Sequence, residues 1–455
     1  MENFDKSYFL GIGGIGMSAL ARYLHIKGYA VAGYDHVETR LTNNLQKEGI
    51  EICYEDAIEQ IPDKFLTPKS CFVVYTPAIP PDSIQLNYFQ KQGFTIMKRS
   101  ELLGKITKQS KSICIAGTHG KTTTTTIAAH LLYQSAVGCS AFLGGISNNY
   151  NSNMLLSKES NLVLIEADEY DRSFHQLSPT MAVITSLDAD HLDIYKTPEE
   201  FRQGFETFAS LVHSGGSLII KKGIEFQPIL REKVNVYTYS MNDGGDFYAE
   251  NIKFEKEEIR FDWVAKTTRI LDLRLRVPIK INVENCVAAI ALAWLNGVSE
   301  EEIRMGIYSY SGIYRRFNIV YKDEKTVYMD DYAHHPQELK ASIESIRLLF
   351  PDRKITGIFQ PHLYTRTRDF APDFAQALSL LDELILLDIY PARELPIEGV
   401  TSKIIFDNVK LENKTLLNKN ELLSFLKNKT YDVLVTFGAG DIERLVPDIK
   451  EQLIK

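Results

Sequence analysis

Short runs of Val, Ile, Leu and Phe recur from one end of the chain to the other. Each is closed by a glycine-rich or polar turn and followed by a longer stretch whose apolar residues return every three or four positions. Continuous apolar runs suit strands buried on both faces, and the three-to-four spacing suits amphipathic helices, so the rhythm predicts parallel α/β domains. Three blocks separate. Residues 1–105 open with SYFLGIGGIGMSALARYLHIKGYAVAGYD and hold a further strand at CFVVYTPAIP. Residues 106–313 start from the strand SICIAG and continue through NLVLIEADEYD and TMAVITSLDADHLDIY; there DFYAENIKFEKEEIRFDWVAKTTRILDLRLRVP alternates as antiparallel strands do, and VENCVAAIALAWLNG reads as a helix. Residues 314–455 hold the strands TVYMDD, KITGIF, ELILLDI and DVLVTF.

Composition narrows the function classes. With 455 residues, 44% of them hydrophobic and 24% charged, the chain has the make-up of a multidomain globular protein. A net charge of -8 and the absence of any Lys/Arg cluster exclude an electrostatic track for nucleic acid, so phosphate must be held locally. Cys53, Cys71, Cys114, Cys139 and Cys286 form no CxxC pair and read as reduced core residues of a cytoplasmic protein. The acidic start MENFDKSYFLGIGG is unlike a signal peptide, and no apolar run reaches the roughly 20 residues of a membrane span.

The densest candidate chemistry is SICIAGTHGKTTTTTIAAHLL. A β-branched strand runs into Gly117, Thr118, His119, Gly120, Lys121, Thr122 and Thr123, and then into a helix. Glycines let backbone N–H groups approach phosphates, a helix start adds positive potential, and lysine adds a full charge, so the segment suits a nucleoside triphosphate. Thr122 is placed to offer a hydroxyl to Mg2+. The loop is two residues tighter than GxxxxGK[ST], whose first glycine would fall at Ile115.

Two acidic clusters follow apolar runs: Glu166, Asp168, Glu169 and Asp171 after NLVLI, and Asp188, Asp190, His191 and Asp193 after MAVIT. Strand ends of parallel sheets gather ligands, and carboxylates with an imidazole suit an Mg2+ that also touches phosphate. Each cluster alone also fits a solvated, helix-capping turn. In the last block DDYAHHP again puts acids and histidines at a strand end, where His334 and its neighbours fit metal ligands, a general base or helix-start residues equally; Arg366 and Arg368 suit an anion. Gly11, Gly13 and Gly16 form GxGxxG after the first strand, with Asp35 ending the next, a dinucleotide fingerprint. Its physics specifies a pyrophosphate at a helix start, whether from a dinucleotide or from UDP. His36, Thr39 and Arg40 stay open between a uridine contact and loop surface.

GIGGIGMSALA, GTHGKTTTTT, EADEYDRSF, DADHLD, YRRF, DDYAHHPQEL and QPHLYTRTRDF together resemble the Mur ligases, in the family's order and over nearly the whole chain. The resemblance implies three domains: a Rossmann-like UDP-sugar domain, a central P-loop ATPase-like domain with a mostly parallel sheet and a small antiparallel part, and a Rossmann-like C-terminal amino-acid domain. It implies ATP-dependent ligation of L-alanine to the lactyl carboxylate of UDP-N-acetylmuramate, through an acyl phosphate and a tetrahedral intermediate, by a monomer or homodimer. By the same resemblance Lys121 meets the β and γ phosphates; Thr122, Glu166 and His191 bind Mg2+; Asn285 reads adenine; and Arg316 and Asp331 contact ATP phosphate and ribose. Gly13, Gly14 and Gly16 hold the UDP part, and Tyr332, His334, His362 and Arg366 surround the amino acid.

Two positions depart from the family pattern, and one stretch bears on the branch. Ile281 stands where the family often has histidine, and Leu363 where it commonly has arginine. PEEFRQGFETFASLVHSGG has no lysine of the kind other branches carbamylate, which agrees with the L-alanine branch. The rival readings are a recycling ligase that takes an intact tripeptide and, from another class, an NAD-dependent oxidoreductase or nucleotide-gated binding protein.

Overall fold

The computed structural model describes residues 4–188, 192–242, 244–255, 258–392, 394–427 and 429–454. Its contacts divide the chain into two compact units: Met1–Glu250 with Trp263–Ile270 and Glu284–Ile307, and Asn251–Asp262 with Leu271–Val283 and Tyr308–Lys455.

The apolar runs are strands, as their composition predicts. In the first unit, β1 (Lys6–Leu10), β2 (Ala30–Tyr34), β3 (Glu51–Cys53), β4 (Cys71–Tyr75) and β5 (Thr95–Lys98) make a parallel sheet in the order β3-β2-β1-β4-β5. A second sheet is built from β6 (Lys111–Ala116), β7 (Ser140–Ser147), β8 (Ser152–Leu155), β9 (Leu162–Glu166), β10 (Met181–Ile184), β11 (Ser217–Lys221) and β12 (Asn235–Tyr239). Its order is β12-β11-β10-β6-β9-β7-β8, continued beyond β12 through β13 (Phe247–Phe254), β14 (Ile259–Ala265) and β15 (Thr268–Leu275) to ten strands. The alternating segment of the sequence is this last trio.

β6 lies between β9 and β10, all parallel, so the order reverses at β6, and its carboxyl end is the switch point where open parallel sheets gather ligands. The two sheets share one apolar core, in which Phe9 and Phe72 belong to the same cluster as Phe142 and Ile165. Polar contacts reinforce it: Asn153, fully buried, donates to Ser18 Oγ at 2.9 Å and to Ile15 O at 2.6 Å, on the helix Ile15–Ile26, and accepts from Arg22.

The second unit carries β16 (Asn318–Lys322), β17 (Val327–Asp331), β18 (Ile355–Phe359), β19 (Glu383–Leu387), β20 (Lys414–Leu417) and β21 (Val433–Phe437), in the order β16-β17-β21-β18-β19-β20. Only the edge pair β16–β17 is antiparallel. The five cysteines are unpaired, and all but Cys53 are buried. Among the described residues no helix is long and apolar enough to cross a membrane.

Candidate active site

From β6 the chain turns through Gly117–Gly120 into the helix Lys121–Gln134. Gly117 has φ +140°, and a Cβ there would overlap Thr185 Oγ1; Gly120 has φ +81°. A side chain is excluded at the first by space and disfavoured at both by backbone angle. Thr118 N donates to Ser186 O at 3.3 Å, His119 N to Ser186 Oγ at 2.7 Å and Thr118 Oγ1 to Asp188 O at 2.6 Å, which straps the turn to the end of β10. No side chain caps the helix, so its first-turn amides face whatever anion the loop receives.

The acidic segment after β9 sends its three described carboxylates to different partners. Glu166 accepts from Thr122 Oγ1 at 2.9 Å and from Gly144 N at 3.0 Å, and a Cβ on Gly144 would overlap its carboxylate. Asp168 pairs with Arg99 at 2.8 Å, and Glu169 pairs with Lys121 Nζ at 2.8 Å. Lys121 Nζ also donates to the carbonyls of Gly117 and Thr118. Burial opposes the charge on Lys121, but the carboxylates of Glu169, Glu166 and Asp168 lift its pKa above the ordinary lysine value. Burial pushes the Glu169 carboxyl, 2% exposed, up to about 7.

Thr122 and Glu166 bring two hard oxygen donors together, which fits a Mg2+ that completes its shell with water and phosphate oxygens. Among the described residues no three His, Cys, Asp or Glu side chains form a metal cluster. His191, the other expected ligand, lies outside the described residues. Asn285, expected at the adenine, is 5% exposed, accepts from Thr124 Oγ1 at 3.2 Å and lies 2.8 Å from where a Gly120 Cβ would stand. It thus packs against the phosphate loop.

The glycine turn after β1 has its own architecture. Gly11 has φ +82°, and Gly13 N donates to Asp35 Oδ2 at 2.8 Å, so Asp35 braces the turn from the end of β2. Gly14 caps the helix Ile15–Ile26 without a side chain. At Gly16 a Cβ would overlap the Arg99 guanidinium. Arg99 therefore stands between this helix start and Asp168, in a small cleft lined also by Ser100, Glu166 and Ser173. Sequence reasoning missed Arg99; a lone arginine at a helix start carries no motif. Of the residues left open nearby, Thr39 caps the helix Arg40–Lys47, Arg40 reaches Asn151 at 3.4 Å, and His36 is exposed.

In the second unit the candidates gather at the ends of β17 and β18. His334 Nδ1 donates to Tyr332 O at 3.0 Å with Glu338 Oε2 3.3 Å away, which leaves Nε2 as the lone-pair nitrogen. Burial lowers the His334 pKa, Glu338 opposes this, and Arg366 and Arg316 add to it. The His362 ring lies 6.0 Å from His334 and stacks on Tyr390. Arg316 lies over the Tyr332 ring at 5.2 Å. Asp331, expected at the ribose, has Oδ2 accepting from Ser342 Oγ at 2.6 Å and Oδ1 from Ala333 N at 3.2 Å. Leu363, in the arginine position, adopts φ +71° and donates its amide to Tyr390 O at 3.0 Å.

Also missed was Arg315. Only 5% exposed, it donates to Asp330 at 3.0 Å, Glu443 at 2.9 Å and Gly438 O at 2.7 Å, tying the ends of β17 and β21 together beside Arg316. The doubled arginine of YRRF was its one visible signal.

Three family models match successive stretches of the chain. Residues 6–111 match the Mur ligase family catalytic domain, 115–293 the Mur ligase middle domain and 315–440 the Mur ligase glutamate ligase domain. The chain is 56% identical over 448 residues to a UDP-N-acetylmuramate–L-alanine ligase of Parabacteroides distasonis, covering 98% of this chain and 97% of that protein. It is 53% identical over 450 residues to the enzyme of that name from Porphyromonas gingivalis, covering 98% and 99%. Its structure is similar to the crystal structure of a UDP-N-acetylmuramate-alanine ligase from Thermotoga maritima, with a TM-score of 0.83 at 28% identity over 98% of both chains. A murein peptide ligase from Psychrobacter arcticus shares the fold, with a TM-score of 0.69 at 20% identity over 99% of this chain and 98% of that one.

Proposed function

Because the chain belongs to the Mur ligase family, we propose that it joins L-alanine to the lactyl carboxylate of UDP-N-acetylmuramate at the expense of ATP, releasing ADP and phosphate in cytoplasmic synthesis of a peptidoglycan precursor. The amino acid and the sugar nucleotide rest on the 56% identity to a ligase of that name over nearly the full length of both chains. The chemistry rests on one observation, the convergence of Lys121, Thr122 and Glu166 where β6 and β9 end.

A free carboxylate is a poor electrophile; its mixed anhydride with phosphate is a good one. Phosphoryl transfer asks a protein mainly to position groups and neutralise charge. The helix start at Gly120 and the Lys121 ammonium suit the phosphates of ATP, and Thr122 and Glu166 would hold Mg2+. When bound, that ion offsets the charge on the phosphate oxygens. The glycine turn Gly11–Gly16 suits the pyrophosphate of the sugar nucleotide, and Arg99, between that turn and Asp168, suits its anionic groups. The alanine amine must lose a proton as it attacks. Neutral His334 with its free Nε2 is suited to accept one, and Arg366 to hold the alanine carboxylate.

The test is direct. UDP-N-acetylmuramate and Mg-ATP are incubated with single free amino acids and with the L-alanyl tripeptide, and the attached product is read by mass. Attachment of L-alanine with stoichiometric ADP is expected. Preferential attachment of the tripeptide, or no attachment with tight NAD(H) binding instead, overturns the reading.

A further inference from the structure

An ammonium group has three N–H donors, and on Lys121 all three have acceptors: Glu169 Oε1, Gly117 O and Thr118 O. Any phosphate that takes this lysine has to displace one of them. Two are carbonyls of the loop itself. The third is a carboxylate on a side chain that cannot follow the lysine, because Glu169 is 2% exposed and its backbone carbonyl accepts from Tyr195 OH at 2.6 Å and Arg172 N at 3.0 Å. The neighbouring acids are committed elsewhere, Glu166 to Thr122 and Gly144, and Asp168 to Arg99. Among the described side chains of the segment, Glu169 is therefore the carboxylate in direct contact with Lys121.

We propose that Glu169 competes with the phosphates of the nucleotide for Lys121, and so sets nucleotide affinity low enough for ADP to leave between turnovers. Glu169 acts through Lys121, as a positioning residue. This builds on the assignment of Lys121 to the phosphates of ATP. A nearby carboxylate repels bound phosphate and holds back the cation that would grip it, and both effects vanish when its charge is removed. A purely structural role predicts the reverse sign, since loosening the loop weakens every ligand on it.

The experiment uses the full chain and Mg-ADP as probe. In Glu169→Gln the amide keeps an acceptor for Lys121 but no charge, and ADP is expected to bind tighter by about fivefold to thirtyfold, the effect of one charge a few ångströms away at an intermediate dielectric. KM for ATP falls in parallel, kcat falls as ADP release slows, and KM for UDP-N-acetylmuramate stays within about twofold, since Lys121 is not its ligand. Glu169→Asp draws the carboxylate back by one methylene and gives the same sign at smaller size, so the proposal stays testable if the amide variant does not fold. Unchanged or weaker ADP binding in a folded variant overturns it. Lys121→Met separates the two layers. It must weaken ADP binding; if it does not, the phosphate assignment of the loop fails, whatever Glu169 does.

Discussion

Lys121 and Arg99 are each held by a carboxylate three or fewer residues beyond Glu166, so each substitution at these positions removes a cation from a counter-charge already in place. Lys121→Ala is expected to cut phosphate release by at least about a thousandfold, the scale of losing a main electrostatic contact to a transferring phosphoryl group. Far-ultraviolet circular dichroism should show an intact fold, and retained turnover would remove Lys121 from the site. Arg99→Met is expected to raise KM for UDP-N-acetylmuramate about tenfold while KM for ATP moves less than about twofold, the pattern of lost substrate binding. Equal effects on both substrates would mean that Arg99 only braces Asp168. Residue types at motif positions were legible in the sequence: Gly117, Gly120, Lys121, Thr122 and Glu166 lie together at the ends of β6 and β9. Partners were not legible. Lys121 and Glu169 are 48 positions apart, Arg99 and Asp168 are 69, and no local pattern encodes such pairs.

At the level of elements, apolar period and turn residues carried most of the information. Runs such as SICIAG and NLVLI became β6 and β9 because β-branched residues buried on both faces have few other homes. The 3-10 helix Tyr170–Gln176 left no such trace, although it begins where Asp168 and Glu169 part toward different cations. The helix Lys121–Gln134 was legible from the glycine turn that opens it, but its far end holds a feature the pattern could not show. His130 is 5% exposed, with Nδ1 2.7 Å from Tyr150 OH, and burial pulls its pKa from 6.5 down to about 4 against a backbone hydrogen bond to Gly306. A folded pKa below the unfolded one adds stability above about pH 6.5 that fades as pH falls toward 4. A shift of this size corresponds to about 3 kcal/mol. Denaturant unfolding of the wild type from pH 7 to pH 4 should therefore lose more stability than His130→Gln does over the same range. Parallel curves for the two proteins would show that the histidine does not titrate with unfolding.

At the scale of the whole molecule, the candidate groups sort by unit. The glycine turn, Arg99, the phosphate loop and Glu166 belong to the first, and Tyr332, His334, His362 and Arg366 to the second. That sorting was partly legible, because the motifs fall in separate blocks of the sequence. The compact units themselves were not, since one core joins the first two sheets and the chain between Asn251 and Val283 passes back and forth between units. Sorting of this kind predicts that binding of the sugar nucleotide and ligation separate on mutation. In His334→Ala and Arg366→Ala every group assigned to the pyrophosphate is intact, so Kd for UDP-N-acetylmuramate by calorimetry is expected to stay within about twofold, whereas ligation loses a proton acceptor or a carboxylate anchor and should fall by about a hundredfold or more. For Arg366→Ala the loss should appear largely as a raised KM for L-alanine, the pattern expected if the guanidinium anchors the amino acid's carboxylate as proposed. For His334→Ala it should appear in kcat, because proton removal belongs to the attack itself. A loss of sugar-nucleotide binding in either variant would place these residues at the first substrate and reverse the assignment of the two units.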